Sequence, residues 1–128
     1  MQNLAEIAPL AGTLGIEVSH ADAVEVRGTM EWAPEKCTAG GVLHGGALMA
    51  FADTLGGVCA FLNLPDGANT TATIESKTNF FRAVRDGHVD ARSRPLHRGR
   101  TTIVVETDLH DAAERRVAQV TQTQAVLT

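Results

Sequence analysis

The residue types with the clearest chemical potential lie in one segment, where His44, Gly45 and Gly46 precede Asp53. Glycines beside a helix start leave backbone N–H groups uncovered at the positive end of the helix dipole, where an anion binds favourably. A carboxylate on an otherwise apolar helix carries a heavy desolvation cost unless other groups offset it. An acid and an anion-accepting helix start are together typical of acyl-transfer chemistry.

The residues alone leave three interpretations of Asp53 open. It is a structural acid bonded to a neighbouring N–H or hydroxyl group, a metal ligand, or a general base or nucleophile. The five histidines show no ligand spacing and no second acid clusters with them, so we expect neither a metal nor a cofactor. His44 is similarly either a helix cap or a functional residue, and Gly45 and Gly46 favour function because they let a ligand approach the backbone.

The element that carries these residues is a predicted buried helix over residues 43–62, because the segment is apolar on every face and longer than a strand. A short amphipathic helix is predicted over residues 3–10. Hydrophobic alternation and turn residues predict six strands, at 16–19, 23–32, 70–81, 88–97, 101–110 and 115–127.

Loops that suit hairpins separate the last four strands, at 85–87, 97–99 and 110–114. One long apolar helix followed by four meandering strands predicts an antiparallel sheet wrapped around that helix, which is an α+β architecture. Burial of the helix on two sides would explain why it has no polar face.

Composition limits the classes of protein to which the chain can belong. At 128 residues and 44% hydrophobic content, we expect one domain over residues 1–128 with a proper core. A net charge of −4 argues against a nucleic-acid binder. The N-terminus lacks the features of a signal peptide, Asp53 interrupts the longest apolar run, and two cysteines are too few for a disulfide framework. We therefore expect a cytoplasmic protein without a membrane span.

The spacing of His44 and Asp53 bears on whether the protein acts as a monomer or as an oligomer. Nine residues of helix separate two side chains by roughly 13–14 Å along the axis and by roughly half a turn around it. The two residues cannot both contact one carbonyl group from the same helix. If both act, Asp53 faces a substrate held by the helix start of a second copy, which predicts an obligate homodimer with adjacent antiparallel helices and two shared sites. Gly56 and Gly57 fit a close approach of these helices, or simply contact the sheet.

Nearly the whole chain, about residues 10–127, resembles hotdog-fold acyl-CoA thioesterases of the phenylacetyl-CoA type. The resemblance rests on HGG at 44–46, ADT at 52–54, FFRAV at 80–84 and HRGR at 97–100. It implies a hotdog fold and hydrolysis of an acyl-CoA thioester, with an aryl or medium-chain acyl group, to a free acid and CoA. It also implies pairing of two dimers into a homotetramer.

The resemblance implies a role for each residue of the site. Asp53 attacks the thioester or activates a water molecule, and an Asp at this position is typical of the phenylacetyl-CoA-like branch. The N–H of Gly45 polarises the thioester carbonyl, and His44 lies beside the sulfur and the carbonyl. A hydroxyl on the strand after the helix positions the water, for which Thr73 is the best match and Thr71 the second.

Thr38 is the departure from the family pattern. The family usually has Asn or Gln six residues before the histidine, where it helps to hold the carbonyl or the acid. A threonine hydroxyl can donate one hydrogen bond but reaches less far. The resemblance therefore keeps Thr38 in the site and leaves the site geometry and the substrate open.

Arginines gather in the second half of the chain, at Arg82, Arg85, Arg92, Arg94, Arg98 and Arg100. From the residues alone they form either a solvated strand face or a docking strip for phosphates. CoA carries several phosphates, so the resemblance favours docking. It assigns the CoA contacts to Gly46, Arg82, Arg98, Gly99 and Arg100, with Lys77 as a weaker choice.

Other functions remain as alternatives. A non-catalytic acyl-CoA sensor or carrier on the same fold needs a thioester pocket but no base, and Asp53 argues against it. A hotdog dehydratase generally uses a His and an acid in a different local sequence. Cys37 is a further candidate for the nucleophile, but the spacing gives it no acidic or basic partner.

Overall fold

The computed structural model describes residues 4–128 of the chain. Two short helices, α1 at Leu4–Ile7 and α2 at Pro9–Thr13, replace the single helix predicted over residues 3–10, of which residue 3 lies outside the described part. The helices are separate because Ala8 precedes a proline, and the residue before proline is pushed out of the helical conformation. Ala8 accordingly lies outside the helical region, with φ −130° and ψ 88°.

The long helix α3 covers Gly45–Phe61, within the predicted range. No helix in the described part of the chain is long and apolar enough to cross a membrane. The strands also follow the predicted segments closely: β1 is Glu17–Ala21, β2 is Val26–Glu31, β3 is Thr70–Phe80, β4 is His88–Arg98, β5 is Thr102–Asp111 and β6 is Arg116–Leu127.

All these strands form one antiparallel sheet in the order β1-β2-β4-β5-β6-β3. The hairpins between β4 and β5 and between β5 and β6 are confirmed. The predicted meander of four strands is wrong for β3, which pairs with β6 at the sheet edge and not with β4. The segment at 85–87 therefore belongs to a crossing connection, and Gly87 accepts a backbone bond from Trp32 that starts β4 beside β2.

One face of α3 packs on the sheet through Ala47, Leu48, Phe51, Ala52, Leu55, Gly56, Cys59 and Ala60. We call this the buried face. Gly28 in β2 lets the helix approach closely, because a Cβ at that position would lie 3.1 Å from both methyl carbons of Leu55. The helix and the inner side of the sheet together form the hydrophobic core.

The opposite side of α3, which we call the open face, consists of Gly46, Met49, Asp53, Gly57 and Phe61. All of these are exposed in the protomer except Gly57, which is half-buried. The expectation that the helix is buried on two sides is therefore wrong for one chain, because the sheet covers one side only. The edge strand β3 is exposed as well, with Ile74 at 62% of its full accessibility.

Candidate active site

The start of α3 is shaped by His44, which is the residue that caps the helix. Its backbone is extended, with φ −62° and ψ 134°, and its Nδ1 accepts a hydrogen bond of 2.7 Å from the N–H of Gly46. An Nδ1 that accepts a hydrogen bond leaves the proton of a neutral ring on Nε2. The cap thus fixes the ring, and the N–H of Gly46, predicted to contact CoA, is already used within the chain.

Gly45 is the first residue of α3, so its N–H has no acceptor within the helix. It lies against the aromatic ring of Phe80, and a Cβ at Gly45 would be 3.1 Å from the ring carbon Cζ. The backbone before it is fixed by bonds from His44 N to Lys36 O and from Leu43 N to Val84 O, both 2.9 Å long. The helix start is therefore held by the chain around it, and among residues 4–128 the N–H of Gly45 has no hydrogen-bond acceptor.

Thr38 lies in the turn that leads into α3. Its N–H donates to the carbonyl of Val42 at 2.8 Å, and the bridge between Cys37 and Leu43 closes the turn. The side chain of Thr38 is exposed. Within one protomer Thr38 therefore belongs to the helix-start half of the site and is absent from the hydrogen bonds that hold Asp53.

Asp53 is eight residues further along α3 than Gly45, a rise of roughly 12 Å along the axis. Its Oδ1 accepts a bond of 2.6 Å from the hydroxyl of Thr73 and a bond of 3.0 Å from Nε2 of Gln122. Thr73 in turn accepts a bond of 2.6 Å from Nε2 of Gln124. In the described part of the chain, both donors to Asp53 reach the same oxygen, which leaves Oδ2 free to act on a substrate.

Gln122 and Gln124 are the members of this site that the sequence reasoning missed. Both are almost completely buried, on the inward-facing side of β6. The signal was the strict alternation around Val120, which turns residues 122 and 124 toward the core. Buried glutamines in a strand need partners, so their positions indicate a polar network.

A bulge in β3 lies beside this network. The register of β3 against β6 shifts between Thr73 and Glu75, directly after the pair formed by Thr73 and Gln124. Bulges bend a strand and redirect its side chains. This irregularity occurs where β3 turns the Thr73 hydroxyl to Asp53, whereas Thr71, the second choice from the sequence, makes no bond to the acid.

A groove of about 600 Å³ begins at Asp53 and follows the open face of α3 between β3 and α1. Its polar rim comes from Asp53, Thr54, Thr70, Thr71, Thr73 and Gln124. Its remaining wall is mostly apolar and includes Leu4, Ile7, Ala8, Val58, Phe61 and Leu62. An apolar groove with a few polar groups at one end is the usual shape of a site for a small organic group.

The arginines predicted to bind CoA do not lie together in one protomer. The N–H of Arg82 donates to Val117 at the start of β6, whereas the turn at 98–101 borders Val126 near its end. Nine residues of strand separate these points by roughly 30 Å. Arg98 also donates to the side chain of Asn63, 3.3 Å away, just beyond the end of α3.

Two further arginines are committed elsewhere. Arg92 and Arg94 both pair with Glu25, at 3.2 and 3.4 Å, and Arg27 joins the same carboxylate. These contacts fit a solvated strand face rather than a docking strip. Over residues 4–128, no three His, Cys, Asp or Glu side chains form a cluster that could hold a metal ion.

Comparisons with known proteins point to one family. The family model of the thioesterase superfamily matches residues 40–118, which include the helix start and Asp53. The proofreading thioesterase EntH of Cronobacter turicensis is 33% identical over 114 residues, or 89% of this chain and 82% of that protein.

Solved structures agree with this match. A thioesterase from Haemophilus influenzae superposes with a TM-score of 0.88 at 28% identity, covering 100% of this chain and 92% of that chain. A hypothetical thioesterase protein from Streptococcus pneumoniae, solved with coenzyme A, gives a TM-score of 0.79 at 26% identity over 87% and 84% of the two chains. The sheet and central helix described above are the hotdog fold of these proteins.

Proposed function

Because this chain belongs to the thioesterase superfamily and is a thioester hydrolase, we propose that its substrate is an aryl- or medium-chain acyl-CoA. The products are the free acid and CoA. The observation that carries the proposal is the carboxylate of Asp53, held through Oδ1 at the end of an apolar groove with Oδ2 free. The coenzyme A in the Streptococcus pneumoniae structure supports a CoA thioester.

Asp53 acts through Oδ2 in one of two ways. As a general base, it takes a proton from water while the water oxygen adds to the thioester carbonyl carbon. As a nucleophile, it adds to that carbon itself and forms an anhydride, which water then cleaves. In both routes the C–S bond breaks and the CoA sulfur leaves as a thiolate that gains a proton.

The carbonyl oxygen needs a donor that Asp53's own helix start does not supply. Gly45 is roughly 12 Å away along α3, so we assign this role to the partner's Gly45 in a homodimer with antiparallel central helices. The partner's His44, with its proton on Nε2, would lie beside the same carbonyl. The exposed apolar residues Met49 and Phe61 on the open face, and the position of β3 at the edge of the sheet, support such an interface.

The same arrangement accounts for the separated arginines. Asp53 bonds to β6 near the end where Arg98, Gly99 and Arg100 form a turn, whereas Arg82 lies near the helix start. In an antiparallel dimer, the partner's Arg82 would approach Asp53 together with the partner's helix start. CoA phosphates would then contact arginines of both chains. Thr38, like Arg82, would act from the partner's half of the site.

The acyl group is assigned to the groove that begins at Asp53. Its apolar wall favours burial of a hydrocarbon group, and its volume of about 600 Å³ lies within the range of sites for small organic molecules. We further propose that two dimers pair into a homotetramer and that the protein acts in the cytoplasm. The two free cysteines, Cys37 and Cys59, support a reducing compartment.

Thiol release from a panel of acyl-CoAs tests the proposal. We expect steady release of CoA from phenylacetyl-, benzoyl-, hexanoyl- and decanoyl-CoA by the wild type. Asp53→Asn should keep CoA affinity but lose at least about 10²-fold in turnover, because a positioned base is removed. Asp66→Asn, the same change in an exposed turn, is the control and should retain full activity.

Two results would contradict the proposal. Unchanged turnover in Asp53→Asn would remove the assigned acid. Tight binding of acyl-CoA without thiol release by the wild type would instead favour the non-catalytic sensor or carrier.

A further inference from the structure

Gln122 is a buried polar side chain whose contacts are incomplete. It is completely inaccessible to solvent, and its Nε2 donates to Oδ1 of Asp53 at 3.0 Å. Its Oε1 is equally buried and has no hydrogen-bond partner among residues 4–128. An unsatisfied buried carbonyl oxygen costs stability. The chain therefore keeps the carboxamide of Gln122 although, among residues 4–128, only its bond to Asp53 compensates for the burial.

Gly56 accommodates this carboxamide. A Cβ at Gly56 would overlap Oε1 and Cδ of Gln122, and would also lie 2.9 Å from its Nε2. Glycine in the middle of a helix is itself unfavourable relative to alanine. Of the two interpretations of Gly56 from the sequence, contact with the sheet is therefore the one observed in the protomer. Two unfavourable features thus coincide at the point where β6 reaches the acid.

A second donor to the acid is oriented in a similar way. Thr73 accepts a bond from Gln124, which directs its own hydroxyl proton to Asp53. Both donors are neutral, and hydrogen bonds donated to a carboxylate favour its charged form. Both bonds also end on Oδ1, so together they fix the rotation of the carboxylate.

We propose that Gln122 and Gly56 form a positioning pair, in which Gly56 makes room for Gln122 to fix the carboxylate of Asp53 with Oδ2 turned to the groove. The inference rests on the proposed function, because only a base or a nucleophile must be charged and oriented. Gln122 is a positioning residue, since it acts through Asp53 and does not contact the reacting atoms.

Gln122→Met is the first test, because methionine has a similar length and no donor. We expect kcat to fall by about 10- to 100-fold with little change in KM, and the acid limb of the kcat profile to move to higher pH, because a hydrogen bond donated to the carboxylate is lost. Gln119→Met is the matched control on the same strand. Gln119 bonds to Glu106 and not to the acid, so its replacement should leave the profile unchanged.

Gln122→Glu is the second variant, and it preserves the shape of the side chain. Two carboxylates this close share a proton, so the acid limb should move up by about two pH units or more, with activity recovering at high pH. A purely structural glutamine would not give this recovery. If the Met and Glu variants both keep the wild-type acid limb, the proposal is overturned.

A double-mutant cycle isolates Gly56. Gly56→Ala should displace Gln122 and shift the acid limb as Gln122→Met does. Adding Gly56→Ala to Gln122→Ala should raise the melting temperature, since the new methyl group fills vacated space, while the acid limb stays shifted. A Gly56→Ala protein with the wild-type profile would contradict the pair.

A spectroscopic readout separates this proposal from the proposed function. The side-chain amide signal of Gln122 in ¹H–¹⁵N spectra should follow the titration of Asp53 and lose that pH dependence in Asp53→Asn. If the signal titrates but no thiol is released, the proposed function fails while the hydrogen bond stands. If thiol is released and Asp53→Asn abolishes it, but the signal does not titrate, the positioning proposal alone fails.

Discussion

The two faces of α3 differ in what completes them. The buried face packs on the sheet of its own chain, and residues such as Phe51 and Leu55 are completely inaccessible. The open face presents Met49, Asp53 and Phe61 to solvent, with Phe61 at 54% of its full accessibility. The buried face is therefore completed within one chain, whereas the half of the helix that carries the acid lacks a cover among residues 4–128 of that chain.

Asp53 shows how the two faces cooperate. The carboxylate belongs to the open face, but one of its donors, Gln122, reaches it from the buried side through the space left by Gly56. An exposed carboxylate works in a high dielectric, where the electrostatic terms that help catalysis are weak. The core therefore fixes the acid in place, and we propose that the chemistry depends on the partner chain that closes the open face.

Among the tests of the contrast between the two faces, Gly45→Pro should have the largest effect, which is a loss of turnover. Proline is tolerated at the first position of a helix, and the extended backbone of His44 suits a residue before proline, so mainly the N–H is lost. We expect turnover to fall by about 10²- to 10³-fold, the usual cost of removing an oxyanion donor. Gly45→Ala also adds a Cβ against Phe80 but keeps the N–H, and it should retain most of the turnover.

Mixing two inactive variants shows whether the open face is completed by a partner. After unfolding and refolding together, Asp53→Asn and Gly45→Pro should recover about a quarter of wild-type activity, because half of the dimers are mixed and each has one intact site. No recovery, although mixed dimers form, would mean that both residues act within one chain.

A comparison of Leu55→Ala with Met49→Ala measures how much each face of α3 contributes to stability. Leu55 is completely buried within the protomer, so its truncation should cost about 2–5 kcal/mol in urea unfolding at every protein concentration. Met49 is exposed in the protomer, and its truncation should cost less, by an amount that depends on protein concentration through dimer formation. Equal and concentration-independent losses would contradict the distinction between the faces.

The buried face was the more predictable of the two. Its helix and all six strands follow from periodicity and turn residues. The hotdog fold, which the resemblance implied, agrees with the solved neighbours. The place of β3 was not predictable, because the turn chemistry of residues 85–87 suits a hairpin and a crossing connection equally well. Pairing of β3 with β6 is a long-range contact that leaves no local signal.

The candidate site was predicted in part. The spacing after His44 singled out Asp53, and the resemblance added Thr73, which the structure places 2.6 Å from the acid. Gln122 and Gln124 were missed because glutamine in an alternating strand is usually read as facing solvent. Only their register with inward-facing neighbours indicated burial, and their partners lie on distant segments.

Cys59 and Cys37 provide a chemical contrast, because Cys59 lies on the buried face and Cys37 before the helix. Burial raises the pKa of the Cys59 thiol to about 11. Since the thiolate is the reactive form, Cys59 should react with a thiol reagent at pH 8 about 100-fold more slowly in the folded protein than in denaturant. Quantified labelling by mass spectrometry checks this, with equal labelling of Cys37 and Cys59 in denaturant as the control.

The raised pKa of Cys59 also makes the stability of the folded protein depend on pH. Between about pH 9 and 11 the unfolded chain loses this proton while the folded chain keeps it, so the free energy of unfolding falls as the pH rises. Cys59→Ala should remove this dependence on pH. In the labelling experiment, fast reaction of Cys59 in the folded protein at pH 8 would contradict the burial of this face of α3.

Gly57→Ala gives the smallest effect and separates the faces by a single residue. Gly56 touches Gln122, whereas a Cβ at Gly57 would meet nothing within 4 Å among residues 4–128 of the same chain. Alanine should therefore favour the helix of one chain by up to about 1 kcal/mol. If the partner's helix packs over Gly57, the added methyl group should instead raise the dimer dissociation constant about fivefold in sedimentation experiments. We expect the weaker dimer, and an unchanged or tighter one would show that the helices do not meet at this glycine.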